Sequence, residues 1–163
     1  MALKAAMWAH GTIVQVEFPE RLVANGLIQK GWGAHIQGLP GTTNWFHFPI
    51  TTPVILDDVR SALGKVFVLY ATVGPARITD VHVYDGPKRV KAIDGLYLSG
   101  DHSVGIDASN SWAIDPPITI FLGLGISVGV EFGLARIPPA PEILFTAAGA
   151  DLVVPTTAPI PGP

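Results

Sequence analysis

Serine, histidine and acidic side chains carry whatever reactivity this chain has, and their spacing decides what they do with it. Gly125-Ile126-Ser127-Val128-Gly129 matches the glycine-flanked serine of many hydrolases. That chemistry needs the serine on a sharp strand-to-helix turn, where its hydroxyl stands free. Here the motif lies inside an alternating apolar run, so Ser127 reads as a small residue on a crowded strand face. Asp101-His102-Ser103, with Ser99 nearby, sets acid, base and hydroxyl side by side, but triads are assembled in space from separate loops. A polar turn accounts for them equally well. The five histidines, His10, His35, His47, His82 and His102, show neither HxH nor HExxH spacing, so no zinc site is expected. His47 and His82 alternate with apolar neighbours and read as hydrogen-bonded strand histidines. Asp85-Gly86 and Asp94-Gly95 bracket Lys88, Arg89 and Lys91; calcium requires several converging oxygens at a regular spacing, and these pairs read as turns. The expectation is a protein with no catalytic residue, no metal and no cofactor. A hydrolase or metal enzyme using His47, His82, Asp101 and His102 is the weakest of three readings.

Aromatic rings offer a different chemistry. Trp32 lies between Gly31 and Gly33, Trp45 stands beside Asn44 and two residues before His47, and Trp112 follows a polar loop. Exposed rings stack on the apolar faces of sugars, so Trp32, Trp45 and His47 form a candidate glycan site. Buried tryptophan is the commoner case.

The elements that position these residues read as strands. Glycine (18) and proline (15) break the chain into short pieces of strand length. Thr12–Phe18 alternates, with Val14, Val16 and Phe18 on one side and Gln15 and Glu17 on the other. Gly31–Gln37 and Trp45–Ile50 suggest two further strands. Lys65–Val73 is almost continuously apolar, as a strand covered on both faces must be. Ile78–Tyr84 and Arg89–Ile93 are separated by a turn at Asp85-Gly86-Pro87, and Val54–Leu63 reads as strand and turn. From Ile118 to Phe132 every second residue is apolar, predicting one long strand. The other face of that run carries Gly123, Gly125 and Gly129, and bare glycines on a strand imply close approach by another group. The fold class expected is all-β, an antiparallel β-sandwich of jelly-roll type spanning residues 1–132.

After Phe132 the composition changes. Residues 133–163 hold Pro138, Pro139, Pro141, Pro155, Pro159, Pro161 and Pro163, which favours extended backbone and disfavours a sheet centre. Ile143, Leu144, Phe145, Leu152, Val153 and Val154 are too apolar for a plain linker. The segment therefore reads as an extended arm docking on a neighbouring subunit.

Composition supports a subunit. Hydrophobic residues make up 48% and charged residues 14% of the 163, against about 25% charged in an ordinary soluble protein. The longest central uncharged stretch, Pro116–Val130, is broken by prolines and glycines and is shorter than the ~20 residues of a spanning helix. The first ten residues do not form a signal-peptide pattern, although an extracellular or cell-surface assembly suits the composition. Net charge of −3 with scattered basic residues argues against nucleic acid, and zero cysteines exclude disulfides and thiolate chemistry. Charge-poor surfaces are typical of interface cores. The leading expectation is a non-enzymatic structural protein that self-assembles into a homo-oligomer, a fibre or tube if contacts do not close, through edge strands and the arm. The alternative is a carbohydrate-binding module with glycans as partners.

Trp8-Ala9-His10-Gly11-Thr12, Gly31-Trp32-Gly33, Pro40–His47, His82–Gly86, Asp94–Ser103 and Gly123–Val130 together resemble a group of uncharacterised bacterial single-domain β-sandwich proteins. The resemblance spans about residues 7–132. It implies the fold and carries no activity, cofactor or catalytic residue.

Overall fold

The computed structural model describes residues 2–134 and 138–154. Along the chain the strands are β1 (Ala2–His10), β2 (Gln15–Val16), β3 (Leu22–Lys30), β4 (Gly33–Gly38) and β5 (Thr42–Ile50). Next come β6 (Ile55–Leu56), β7 (Val59–Arg60), β8 (Ala62–Val73), β9 (Ala76–Asp85) and β10 (Lys88–Ile93). β11 (Asp101–His102), β12 (Ser111–Thr119), β13 (Leu124–Phe132) and β14 (Glu142–Val154) follow. All the pairings are antiparallel. One sheet runs β10-β9-β13-β5-β2; the other runs β11-β8-β14-β4-β3, with β1 also on β14 and β12 also on β8. The two sheets pack face to face as an all-β sandwich, as the alternating sequence required. Among the described residues no helix is long and apolar enough to cross a membrane.

The expected arm is the main correction. Glu142–Val154 is a strand of the sandwich itself, paired with β8 along its length and with β4 and then β1 on its other side. Ile143, Phe145 and Leu152 are fully buried, and Leu144, Val153 and Val154 are half-buried. Phe145 lies between Phe46 and Phe48 of the opposite sheet, with ring centroids 5.4 and 5.3 Å away. The prolines misled because they flank the strand. From Glu142 to Val154 there is none, and the run can join a sheet centre. Residues 155–163 of the expected arm, and 135–137 before it, lie outside the described residues.

The run from Ile118 to Phe132 is two strands instead of one. Its first residues close β12 in the larger sheet, and the chain crosses at Ile120–Gly123 to enter β13 in the smaller one. Both pieces turn their alternate apolar side chains inward, Ile118 and Ile120 before the crossing and Leu124 to Phe132 after it, while Leu122 at the crossing itself is exposed. The crossing is held by Asp85 at the end of β9: its Oδ2 accepts the Phe121 N–H (2.8 Å), and its Oδ1 accepts those of Leu122 (2.8 Å) and Gly123 (2.9 Å). Burial by itself pushes this carboxyl up, but the Gly123, Leu122 and Phe121 N–H groups outweigh it and hold the pKa below the ordinary carboxylate value.

Val54–Leu63 forms the expected strand and turn: β6 and β7 pair around Asp57 and Asp58, which take φ of 52° and 59°. The alternating stretch Thr12–Phe18 yields only the two-residue β2, flanked by short 3-10 turns. Lys65–Val73 falls within β8, and its outward Phe67 is covered by Trp8, whose ring stacks on it at 5.1 Å. Gly149 is the register partner of both residues, and a Cβ there would lie 2.6 Å from the Trp8 ring. The bare backbone lets Trp8 lie across β14.

Candidate functional site

The smaller sheet turns one face to the core and the other to solvent, and its three central strands set their outward residues in register. Ser127 of β13 faces His47 of β5 on one side and His82 of β9 on the other. The neighbouring rows are Trp45, Gly129 and Asp80, and Pro49, Gly125 and Tyr84, with Arg89 of β10 opposite Tyr84. Antiparallel pairing brings such cross-strand neighbours to about 5 Å, so residues remote in sequence become adjacent.

Trp45, His47, His82, Tyr84, Arg89, Ser127 and Glu17 line an open cleft of about 300 Å³. Glu17 is brought there by Asn44, a buried side chain whose Nδ2 donates to the Phe18 carbonyl (2.8 Å) and whose Oδ1 accepts the Phe18 N–H (3.1 Å). The Glu17 N–H donates to the Trp45 carbonyl at 3.0 Å. His47 then bridges two strands: Nε2 lies 2.9 Å from Glu17 Oε2, and Nδ1 lies 2.8 Å from Ser127 Oγ. A carboxylate only accepts, so Nε2–H donates to Glu17; in the neutral ring Nδ1 accepts the Ser127 hydroxyl proton. Across Ser127, His82 Nε2 donates to Asp94 Oδ1 at 2.6 Å, and the ring packs on Trp45 with centroids 4.8 Å apart. The hydrogen bond from His82 lowers the Asp94 pKa below the usual carboxylate value.

The glycines of the predicted long strand separate into distinct cases. A Cβ on Gly129 would meet Asp80, Thr79 and the Trp45 ring at 3.1 to 3.2 Å, so here the chain itself makes the expected close approach. At Gly125 a Cβ would meet nothing within 4 Å. The ladder between Pro49 and Tyr84 thus leaves a bare floor that no part of the described chain covers. Gly123 is a crossing residue with φ of 148° and does not belong to the strand face.

Two of the three candidate sugar-binding residues, Trp45 and His47, come together in this cleft. Trp32 does not: it lies in the turn between β3 and β4, on the other sheet, 43% exposed, with Lys30 Nζ 5.8 Å above its ring. Glu17, Tyr84 and Arg89 were not singled out by the sequence, because nothing local marks a residue whose neighbours are supplied by register. The polar cluster at Asp101–Ser103 closes on itself at the far sheet. Asp101 accepts from the Ser103 N–H and hydroxyl, and His102 Nδ1 bonds Asp107 at 2.7 Å. His102 and Asp101 are therefore not combined with His47 and His82. Asp85, once a calcium candidate, has its oxygens occupied by backbone N–H groups.

These features define an antiparallel β-sandwich with a polar and aromatic cleft open on the outer face of one sheet. The chain belongs to the DUF6623 family, a family of unknown function whose model matches residues 2–140. The match stops just before β14. No curated protein and no solved structure matches the chain.

Proposed function

We propose that this protein is a non-catalytic carbohydrate-binding β-sandwich and that the cleft over β5, β13 and β9 is its sugar site. Sites for small polar ligands combine aromatic walls with a few fixed hydrogen-bonding groups. Trp45 and Tyr84 supply the rings; Glu17, His47, Arg89 and Ser127 supply acceptors and donors along a line of hydroxyls. The observation that carries the reading is the bare floor at Gly125, uncovered beside Tyr84 and two residues from Ser127.

The Glu17–His47–Ser127 chain has the order of a catalytic triad, and the backbone argues for binding instead. Ser127 sits in a strand paired on both sides, so the neighbouring N–H groups are engaged in ladders and are not gathered to hold an oxyanion. The ground for self-assembly has narrowed, since the segment meant to dock on a neighbour is an internal strand; sheet edges are what remain to that reading.

A glycan array probed with the wild-type chain, Trp45→Ala and Gly125→Val tests the proposal. Binding by the wild type that is lost in both variants is the expected result. Gly125→Val places a β-favouring side chain where a Cβ meets no described atom within 4 Å, and an unchanged circular dichroism spectrum checks that the fold is kept. An array with no bound glycan, or equal binding by Gly125→Val, overturns the proposal.

A further inference from the structure

We infer that Asp80, His82 and Asp94 form a binding site for one divalent transition-metal ion of the zinc type, beside the cleft. Each residue offers one ligand atom, and the three atoms lie within 4.8 Å of one another. Asp80 and His82 are alternate residues of β9 and so share its outward face; Asp94 follows β10, which pairs with β9. Metal–ligand bonds of about 2.0–2.2 Å leave donor atoms on one ion roughly 3–4 Å apart, so an ion draws these side chains together only slightly.

The surroundings hold the donors in place. His82 is 8% exposed and its ring is fixed against Trp45. Asp80 Oδ1 accepts the Gly95 N–H at 3.3 Å, while Oδ2 leans over the bare backbone of Gly129. An outer hydrogen bond of this kind orients a ligating carboxylate. Asp94 is hydrogen-bonded to His82 and has a carboxylate oxygen within 4.8 Å of an Asp80 oxygen, and Arg89 is the cation whose field reaches it. Two carboxylates this close repel unless a proton or a cation lies between them. An imidazole beside two carboxylates suits zinc better than calcium or magnesium, which favour shells of oxygen alone. With three protein ligands the ion keeps positions open for water or for a hydroxyl from the cleft.

The rival arrangement is a simple ion pair of protonated His82 with Asp94, and metal titration separates the two. Full-length protein freed of metal with a chelator is titrated by calorimetry with zinc, manganese and calcium chlorides in turn. The expected result is saturable uptake of about one equivalent of zinc, with calcium weaker, and loss of that uptake in both Asp94→Asn and Asp80→Asn. Both variants keep side-chain shape, and an unchanged circular dichroism spectrum confirms their fold. Absence of saturable zinc uptake, uptake undiminished in the two variants, or preference for calcium overturns the inference. The outcome is independent of any glycan result, since the titration contains no sugar.

Discussion

Asp85→Asn removes one charge and almost no volume, and its effect is calculable from the crossing it holds. The asparagine oxygen can keep the Leu122 and Gly123 N–H groups, but its NH₂ then confronts the Phe121 N–H donor to donor. Hydrogen bonds to a charged acceptor contribute about 1.5–3 kcal/mol each; one is lost outright and two are weakened. Phe121 and Leu122 are 58% and 70% exposed, so water reaches part of the vacated site, and the net loss is about 2–3 kcal/mol. For a chain of this size that lowers Tm by about 4–12 °C at pH 7. The pH dependence supplies an independent check. The Asp85 pKa is lowered in the folded protein, so its stabilisation is fully present above the unfolded value of about 3.9 and disappears as pH falls through the folded one. The gap between wild type and variant is therefore complete at neutral pH and closes only below about 4. Thermal unfolding followed by circular dichroism over a pH series measures both. Equal Tm values at pH 7, or a gap that persists unchanged into acid, would refute the reasoning.

Three other outcomes follow from the packing. Phe145→Ala should cost about 3–5 kcal/mol, read as a shift in urea midpoint, and a chain ending at Pro141 should show no cooperative unfolding transition, because β14 is the centre of its sheet. Tyr70 is fully buried, its hydroxyl donates to the Ser109 carbonyl at 3.4 Å, and burial followed by the charge of Asp107 raises its pKa to about 12. Ultraviolet titration should show its phenolate only near pH 12, with stability declining above the ordinary tyrosine value of about 10.

The strands were legible wherever burial of one face imposed alternation, as in Trp45–Ile50, Ile78–Tyr84 and Leu124–Phe132. What alternation does not record is which sheet a strand joins. Ile118–Phe132 keeps its period through a change of sheet, and Asp85, which holds the crossing, lies more than thirty residues away. Proline density marks a whole segment, whereas it is the position of each proline that excludes pairing, and Glu142–Val154 has none. The site was legible in its types and not in its grouping. Trp45 and His47 are two residues apart on one strand, so strand alternation alone places them on the same face. Ser127, Tyr84 and Glu17 join them only through registers that the sequence does not state, and Trp32 lies on the other sheet.

The placement of β14 also bears on how the chain comes to be folded. A ribosome delivers this strand after all of its partners, β1, β4 and β8, which lie well before it in the chain. Until Phe145 emerges, Phe46 and Phe48 lack the ring that lies between them, and β8 presents one long apolar edge with nothing along it. Nascent strands in that condition invite pairing with other chains. The larger sheet therefore cannot close until residues 142–154 have emerged, and the growing polypeptide must be kept from its neighbours until then.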